Sequence, residues 1–108
     1  MGRPPDRMAP APTGRRDITG EVTCVAWKNL EDGRFFYTMV VKSKDEYGTW
    51  YCSLAIPKGI RDVYEQTEMN GMERWLVGKY VGFTATLTPS HKTQDLAYGR
   101  RPTNGRLV

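Results

Sequence analysis

Five stretches of this chain alternate polar and apolar residues with the period of a β-strand, and one stretch of helical spacing divides the first three from the last two. The β-patterned runs are 17–29, 34–44 and 48–56, then, after a break over 57–78, 79–89 and 95–102. A chain of 108 residues with this βββ-α-ββ order has few closed solutions. The order predicts a mainly β domain, a small five-stranded Greek-key barrel with one helix between strands 3 and 4, which leaves no open sheet edge.

The alternation assigns faces. In the first run Val22, Cys24 and Ala26 share one face, and Glu21, Thr23, Val25 and Trp27 the other. Gly20 marks a bulge or a sharp bend of the kind that closing a small barrel requires. Asp32-Gly33 signals a turn, and the second run sets Phe35, Tyr37, Met39 and Val41 against Phe36, Thr38, Val40 and Lys42. In the third run Trp50, Cys52, Leu54 and Ile56 point inward, with Thr49, Tyr51, Ser53 and Ala55 outward. Pro57 ends that strand, and Ile60, Val63, Tyr64 and Thr67 then form a helical stripe stopped at Asn70-Gly71. Met72–Leu76 reads as a further turn, and the fourth run buries Val81, Phe83, Ala85 and Leu87.

Residues 1–16 hold four prolines and almost no large apolar groups, so they read as a disordered, basic, Pro-rich tail. The barrel is then 17–102, with 103–108 a short C-terminal tail. The formal charge of +4 is unevenly spread: residues 1–16 carry four arginines against Asp6, and residues 91–108 carry four cations against Asp95. Residues 17–90, with eight basic and ten acidic side chains, carry −2. This asymmetry suggests a polyanionic partner met at the ends, with basic tails that merely aid solubility as the alternative. The N-terminal arginines precede no apolar stretch, so no signal peptide is expected. No run approaches the roughly 18 apolar residues of a membrane helix, so no membrane contact and a cytoplasmic location are expected.

Cys24 and Cys52 sit in separate β-runs and read as two reduced, buried thiols. With a single histidine, His91, they are too few for a structural zinc site, and no cofactor is expected. No Ser-His-Asp or Cys-His logic, P-loop, dinucleotide glycine pattern or HExxH occurs, so the chain does not read as an enzyme.

Large rings on the polar face of a strand need a reason. Trp27, Phe36 and Tyr51 fall in the outward phase of three successive runs, and Tyr98 lies in the last. Single-strand binders stack bases on such rings, at roughly 1–3 kcal/mol each. Rings that cover a barrel end or pack under the tails are the bland alternative. Lys42, Lys44, Lys92, Arg100 and Arg101 are placed to neutralise phosphates, and His91 reads as a donor in the loop before the last strand. Arg100 and Arg101 should point to opposite faces, leaving one of them on the candidate surface.

The layout resembles OB-fold single-stranded DNA-binding proteins. The block VGFTATLTPSHKTQDLAYGRRPT is also similar to the end of small OB-like proteins of actinobacterial phages. The resemblance implies single-stranded DNA or RNA as partner, in the host cytoplasm if the chain is phage-encoded. Bacterial single-strand-binding proteins usually end in an acidic tip, whereas this chain ends GRRPTNGRLV, so recruitment of repair enzymes through such a tail is not expected. A protein-interaction module, such as a phage factor binding a host or phage protein, remains open, as do a homo-oligomer and a virion component. An SH3-like barrel is the competing fold, and it would lack so long a helix between strands 3 and 4.

Overall fold

In the computed structural model, which describes residues 10–108, the first strand is long enough to serve two neighbours. β1 (Gly14–Asn29) pairs through its first half with β4 (Tyr80–Pro89), from Gly14↔Leu87 to Glu21↔Tyr80. Its second half pairs with β2 (Phe35–Asp45), from Glu21↔Lys42 to Asn29↔Phe35. The change of partner falls at Gly20, where an added Cβ would strike the carbonyl oxygen of Lys42 and come within 2.8 Å of Val41 Cγ1. Ser43 Oγ closes the bend by donating to the Thr19 carbonyl oxygen at 2.9 Å.

β2 turns into β3 (Gly48–Ala55), and the chain crosses through the helices α1 (Lys58–Glu65) and α2 (Met72–Leu76) to β4 and finally β5 (Leu96–Leu107). The strands form a closed barrel in the order β1-β2-β3-β5-β4. β3 and β5 run parallel over Tyr51↔Leu96 to Ser53↔Tyr98, and the other contacts are antiparallel. This is the expected five-stranded OB-like Greek key. The segment between β3 and β4 holds a second short helix, α2, where a turn was expected.

The core follows the alternation closely in three strands. Met39 and Val41 of β2, Trp50, Cys52 and Leu54 of β3, and Val81, Phe83, Ala85 and Leu87 of β4 are all buried. Ile60 of α1 and Met72, Trp75 and Leu76 of α2 extend that core across the barrel's end. The Tyr64 hydroxyl accepts a hydrogen bond from Gly71 N–H at 2.7 Å, and its ring lies 5.3 Å from Trp75. These contacts fix the two helices to each other.

β1 departs from the expectation. A bulge between Val22 and Cys24 leaves Thr23 without a partner and inverts the phase beyond it. Val25 is therefore buried and Cys24 exposed, the reverse of the predicted faces. Both ends also carry more strand than the composition suggested. Gly14–Arg16 already pair with β4, and Ala11 is buried, its N–H bonded to the Gln94 carbonyl oxygen at 3.0 Å. β5 continues through Leu107, so residues 103–107 are strand rather than tail. The remainder of the expected N-terminal tail, residues 1–9, lies outside the described residues.

Candidate functional site

The outward side of β1, β2, β3 and β5 forms one continuous surface. Its rows, read across the barrel, are Lys28–Phe36, then Ala26–Thr38–Ala55, then Cys24–Val40–Ser53–Tyr98, then Glu21–Lys42–Tyr51–Leu96. Lys44, opposite Thr49, follows on β2 and β3. The middle rows carry short side chains, so the surface is a shallow trough rather than a ridge. Phe36 stands at one end and Tyr51 at the other, with Tyr98, 50% exposed, on the β5 side. Lys28, Lys42 and Lys44 edge the same surface.

The loop 90–95 is held against this trough. Tyr51 N–H donates to the Asp95 carbonyl oxygen at 2.7 Å, and Ser90 Oγ accepts from the N–H groups of Lys92 and Thr93, both at 3.2 Å. The loop therefore sets Asp95 beside Tyr51, and His91 and Lys92, both exposed, at its β4 end.

Charge pairing separates these cations from the rest. Among the described residues the ion pairs are Arg34–Asp32 at 2.6 Å, Lys58–Asp62 at 2.6 Å and Arg106–Asp17 at 2.9 Å. Lys28, Lys42, Lys44, Lys92, Arg100 and Arg101 thus have no carboxylate in salt-bridge range among them. A groove of about 370 Å³ between Gly20, Lys42, Lys44 and Tyr80 adds a further exposed ring to this edge, with Glu21 as its acidic member. Tyr80 was legible as the outward neighbour of Val81. Lys28 was not, because the Thr23 bulge decides its face.

Trp27 does not join Phe36, Tyr51 and Tyr98. The bulge puts it opposite Tyr37, on the core-side phase, where β1 and β2 run past the last residue of β3 paired to them. There Trp27, 62% exposed, meets Phe35 edge-on at 5.8 Å, and Phe35 meets Tyr37 edge-on at 5.8 Å. Phe35 and Tyr37, with Phe36 and Ala55 from the end of the trough, line an apolar groove of about 450 Å³ whose far wall is Arg61, Tyr64 and Glu65 of α1 with Met72 of α2, and Trp27 adjoins it through Phe35.

Arg100 and Arg101 do not point to opposite faces either. β5 breaks alternation twice against β4, with Thr86↔Arg100 followed by Thr84↔Thr103 and then Gly82↔Arg106. Each bulge contains one residue in the left-handed region, Arg101 at φ 50° and Asn104 at φ 55°. Pro102 and Gly105 are half-buried while Arg100, Arg101, Thr103 and Asn104 are all exposed. Both arginines therefore face solvent.

Arg15 of β1 fixes this arrangement, donating from Nη1 to Thr86 Oγ1 at 3.2 Å and to the Arg101 carbonyl oxygen at 3.1 Å, and from Nη2 to Thr103 Oγ1 at 3.0 Å. Beside it, hydrogen bonding from Arg106 holds the Asp17 carboxyl below its ordinary pKa. Within the core, burial pushes the Cys52 thiol up to about 12, so it stays protonated.

Among the described residues no three His, Cys, Asp or Glu side chains gather as metal ligands. None of the described helices is long and apolar enough to cross a membrane. The chain matches no protein-family model and no curated protein.

Proposed function

We propose that this barrel binds single-stranded nucleic acid, DNA in the first place, and performs no chemistry on it. One observation carries the reading: a trough floored by short side chains, edged by the rings of Phe36, Tyr51 and Tyr98 and by lysines with no carboxylate partner among the described residues. Rings accept stacked bases at roughly 1–3 kcal/mol each, and a single OB domain covers about 4–16 nucleotides. Lys28, Lys42 and Lys44, with His91 and Lys92 from the loop, line the path a phosphate backbone would take. Neutralising about three phosphates of a single strand gives a slope near −2 for log K against log salt.

The test is fluorescence anisotropy with a labelled oligo-dT of about 20 nucleotides. Tight binding at low salt with the stated slope is expected. Tyr51→Ala should weaken it by roughly 5- to 100-fold while the domain stays folded. No complex at low salt, or one insensitive to salt, overturns the reading.

A second reading, a protein-interaction module, is favoured by the groove beside Trp27, Phe35 and Tyr37. Exposed aromatic rings around an apolar cleft are the usual anchors of a peptide or protein partner. Loss of a captured partner on Trp27→Ala, with oligo-dT binding absent from the unaltered protein, would select it.

A further inference from the structure

We infer that the outer wall of β1, β4 and β5 is a second nucleic-acid contact, which holds the phosphate backbone of a duplex adjoining the bound single strand; the inference rests on the single-strand reading for the attached strand. The wall is built from the rows Arg15–Thr86–Arg100 and Asp17–Thr84–Thr103. Its acidic member, Asp17, is already engaged by Arg106 at 2.9 Å. Arg15, Arg100 and Arg101 are left with no carboxylate partner among the described residues, and the surface is positive on balance.

The bulges of β5 make this wall. Under strict alternation one of two successive arginines would face the core; the left-handed Arg101 lets both be exposed. Arg15 locks the carbonyl oxygen of Arg101 and the hydroxyls of Thr86 and Thr103 into one network. The two rows hold no ring, so bases have nothing to stack on there. Arginine and threonine are instead the groups that contact phosphate and sugar. Arg15 starts two strand spacings from Arg100, and its guanidinium crosses β4 to reach β5, so the cationic groups gather over the β4–β5 pair. β5 belongs to both surfaces: Tyr98 borders the trough, and Arg100, two residues on, begins the wall. A strand leaving the trough past Tyr98 therefore meets the wall.

The experiment compares three labelled probes on the full chain: oligo-dT, the same oligo-dT joined to a short duplex, and the blunt duplex alone. The unaltered protein should bind the tailed duplex about tenfold more tightly than the free strand. Arg100→Gln with Arg101→Asn, the latter suited to the left-handed position, should abolish that gain, lowering affinity for the tailed duplex far more than affinity for oligo-dT. The salt slope on the tailed duplex should fall by about 1.8, for two lost duplex phosphates. Arg100→Gln alone, in regular strand, serves if the double variant fails to fold, and should remove part of the gain. Equal affinity of the unaltered protein for tailed and free strands, or a gain that survives the substitutions, overturns the inference while leaving the single-strand reading standing. Duplex binding sensitive to these substitutions without any oligo-dT binding keeps the wall and overturns the single-strand reading instead.

Discussion

Arg15 of β1 donates through Nη1 to the carbonyl oxygen of Arg101 at 3.1 Å, so a side chain from β1 reaches across β4 to hold a strained backbone on β5. A left-handed residue other than glycine costs on the order of 1–3 kcal/mol and persists only where its surroundings fix it. Arg15→Ala removes three hydrogen bonds across β1, β4 and β5. Because the site is exposed, a loss of about 1–2 kcal/mol in urea unfolding is expected. Arg101→Gly suits the same φ and should leave the midpoint unchanged or higher. A neutral Arg15→Ala paired with a destabilising Arg101→Gly would contradict the bulge as described.

Asp17 and Arg106 tie the start of the barrel to its end. The carboxyl's pKa is lowered, mainly by its hydrogen bond from Arg106, from an ordinary value of 3.8. A lowered folded pKa means that the pair's contribution is fully present above the unfolded value and is lost as pH falls through the folded one. Stability should therefore be flat in this respect near neutrality and decline below about pH 4. Asp17→Asn should flatten part of that decline in urea titrations at several pH values. An unchanged profile would place the acid sensitivity elsewhere. Both groups are substantially exposed, so the effect is small.

The two cysteines report the bulge in β1. Cys24 is exposed and Cys52 is buried with its thiol pushed up to about 12. An aromatic disulfide reagent at neutral pH should label Cys24 promptly in the folded protein and Cys52 only on unfolding. Deleting Thr23 should restore simple alternation with Val22 and Val25 still inward and Cys24 still outward, so the labelling pattern should survive it. Slow labelling of both thiols in the unaltered protein would mean that the phase does not invert at Thr23.

The inward positions of β2, β3 and β4 were readable because those strands keep strict alternation, and the face built on Phe36, Lys42, Lys44 and Tyr51 follows from them. Trp27 was misplaced because one extra residue, Thr23, flips every side chain beyond it, and nothing in the composition of TCVAW marks a bulge. Arg100 and Arg101 were separated for the same reason, since β5 places Arg101 where glycine is the usual signal. The early start of β1 was hidden by proline and arginine content. Gly14–Arg16 gain their order from backbone pairing with β4, which local composition does not encode.

Gly105, placed by the sequence in a short tail, is instead a packing position. A Cβ built there would lie 2.5 Å from Pro57 Cβ and 3.0 Å from Pro57 Cγ, under the start of α1. Gly59 makes the reciprocal approach, facing the carbonyl oxygen of Gly105. Gly105→Ala should therefore destabilise by about 1–3 kcal/mol through overpacking. Gly33→Ala, with open space around it but φ 87°, should cost less than that upper figure. Chemical denaturation of the two variants checks the order, and a larger loss at Gly33 would contradict the packing of α1 on β5.

Tryptophan emission separates the two functional readings because the three indoles have different surroundings. Trp50 and Trp75 are buried, and Trp27 is 62% exposed beside the groove of Phe35 and Tyr37. Acrylamide should therefore quench chiefly Trp27 in the free protein, and Trp27→Phe should remove most of the quenchable signal. A single strand lying in the trough between Tyr51 and Tyr98 occupies the face of the β1–β2 pair opposite Trp27, and meets the groove only at Phe36, which lines both. Saturating oligo-dT should then leave Trp27 open to acrylamide, while Tyr98→Ala weakens the complex. A partner seated in the groove would shield Trp27 and be indifferent to Tyr98. Protection of Trp27 by oligo-dT would move the nucleic-acid path off the trough and onto the groove beneath it.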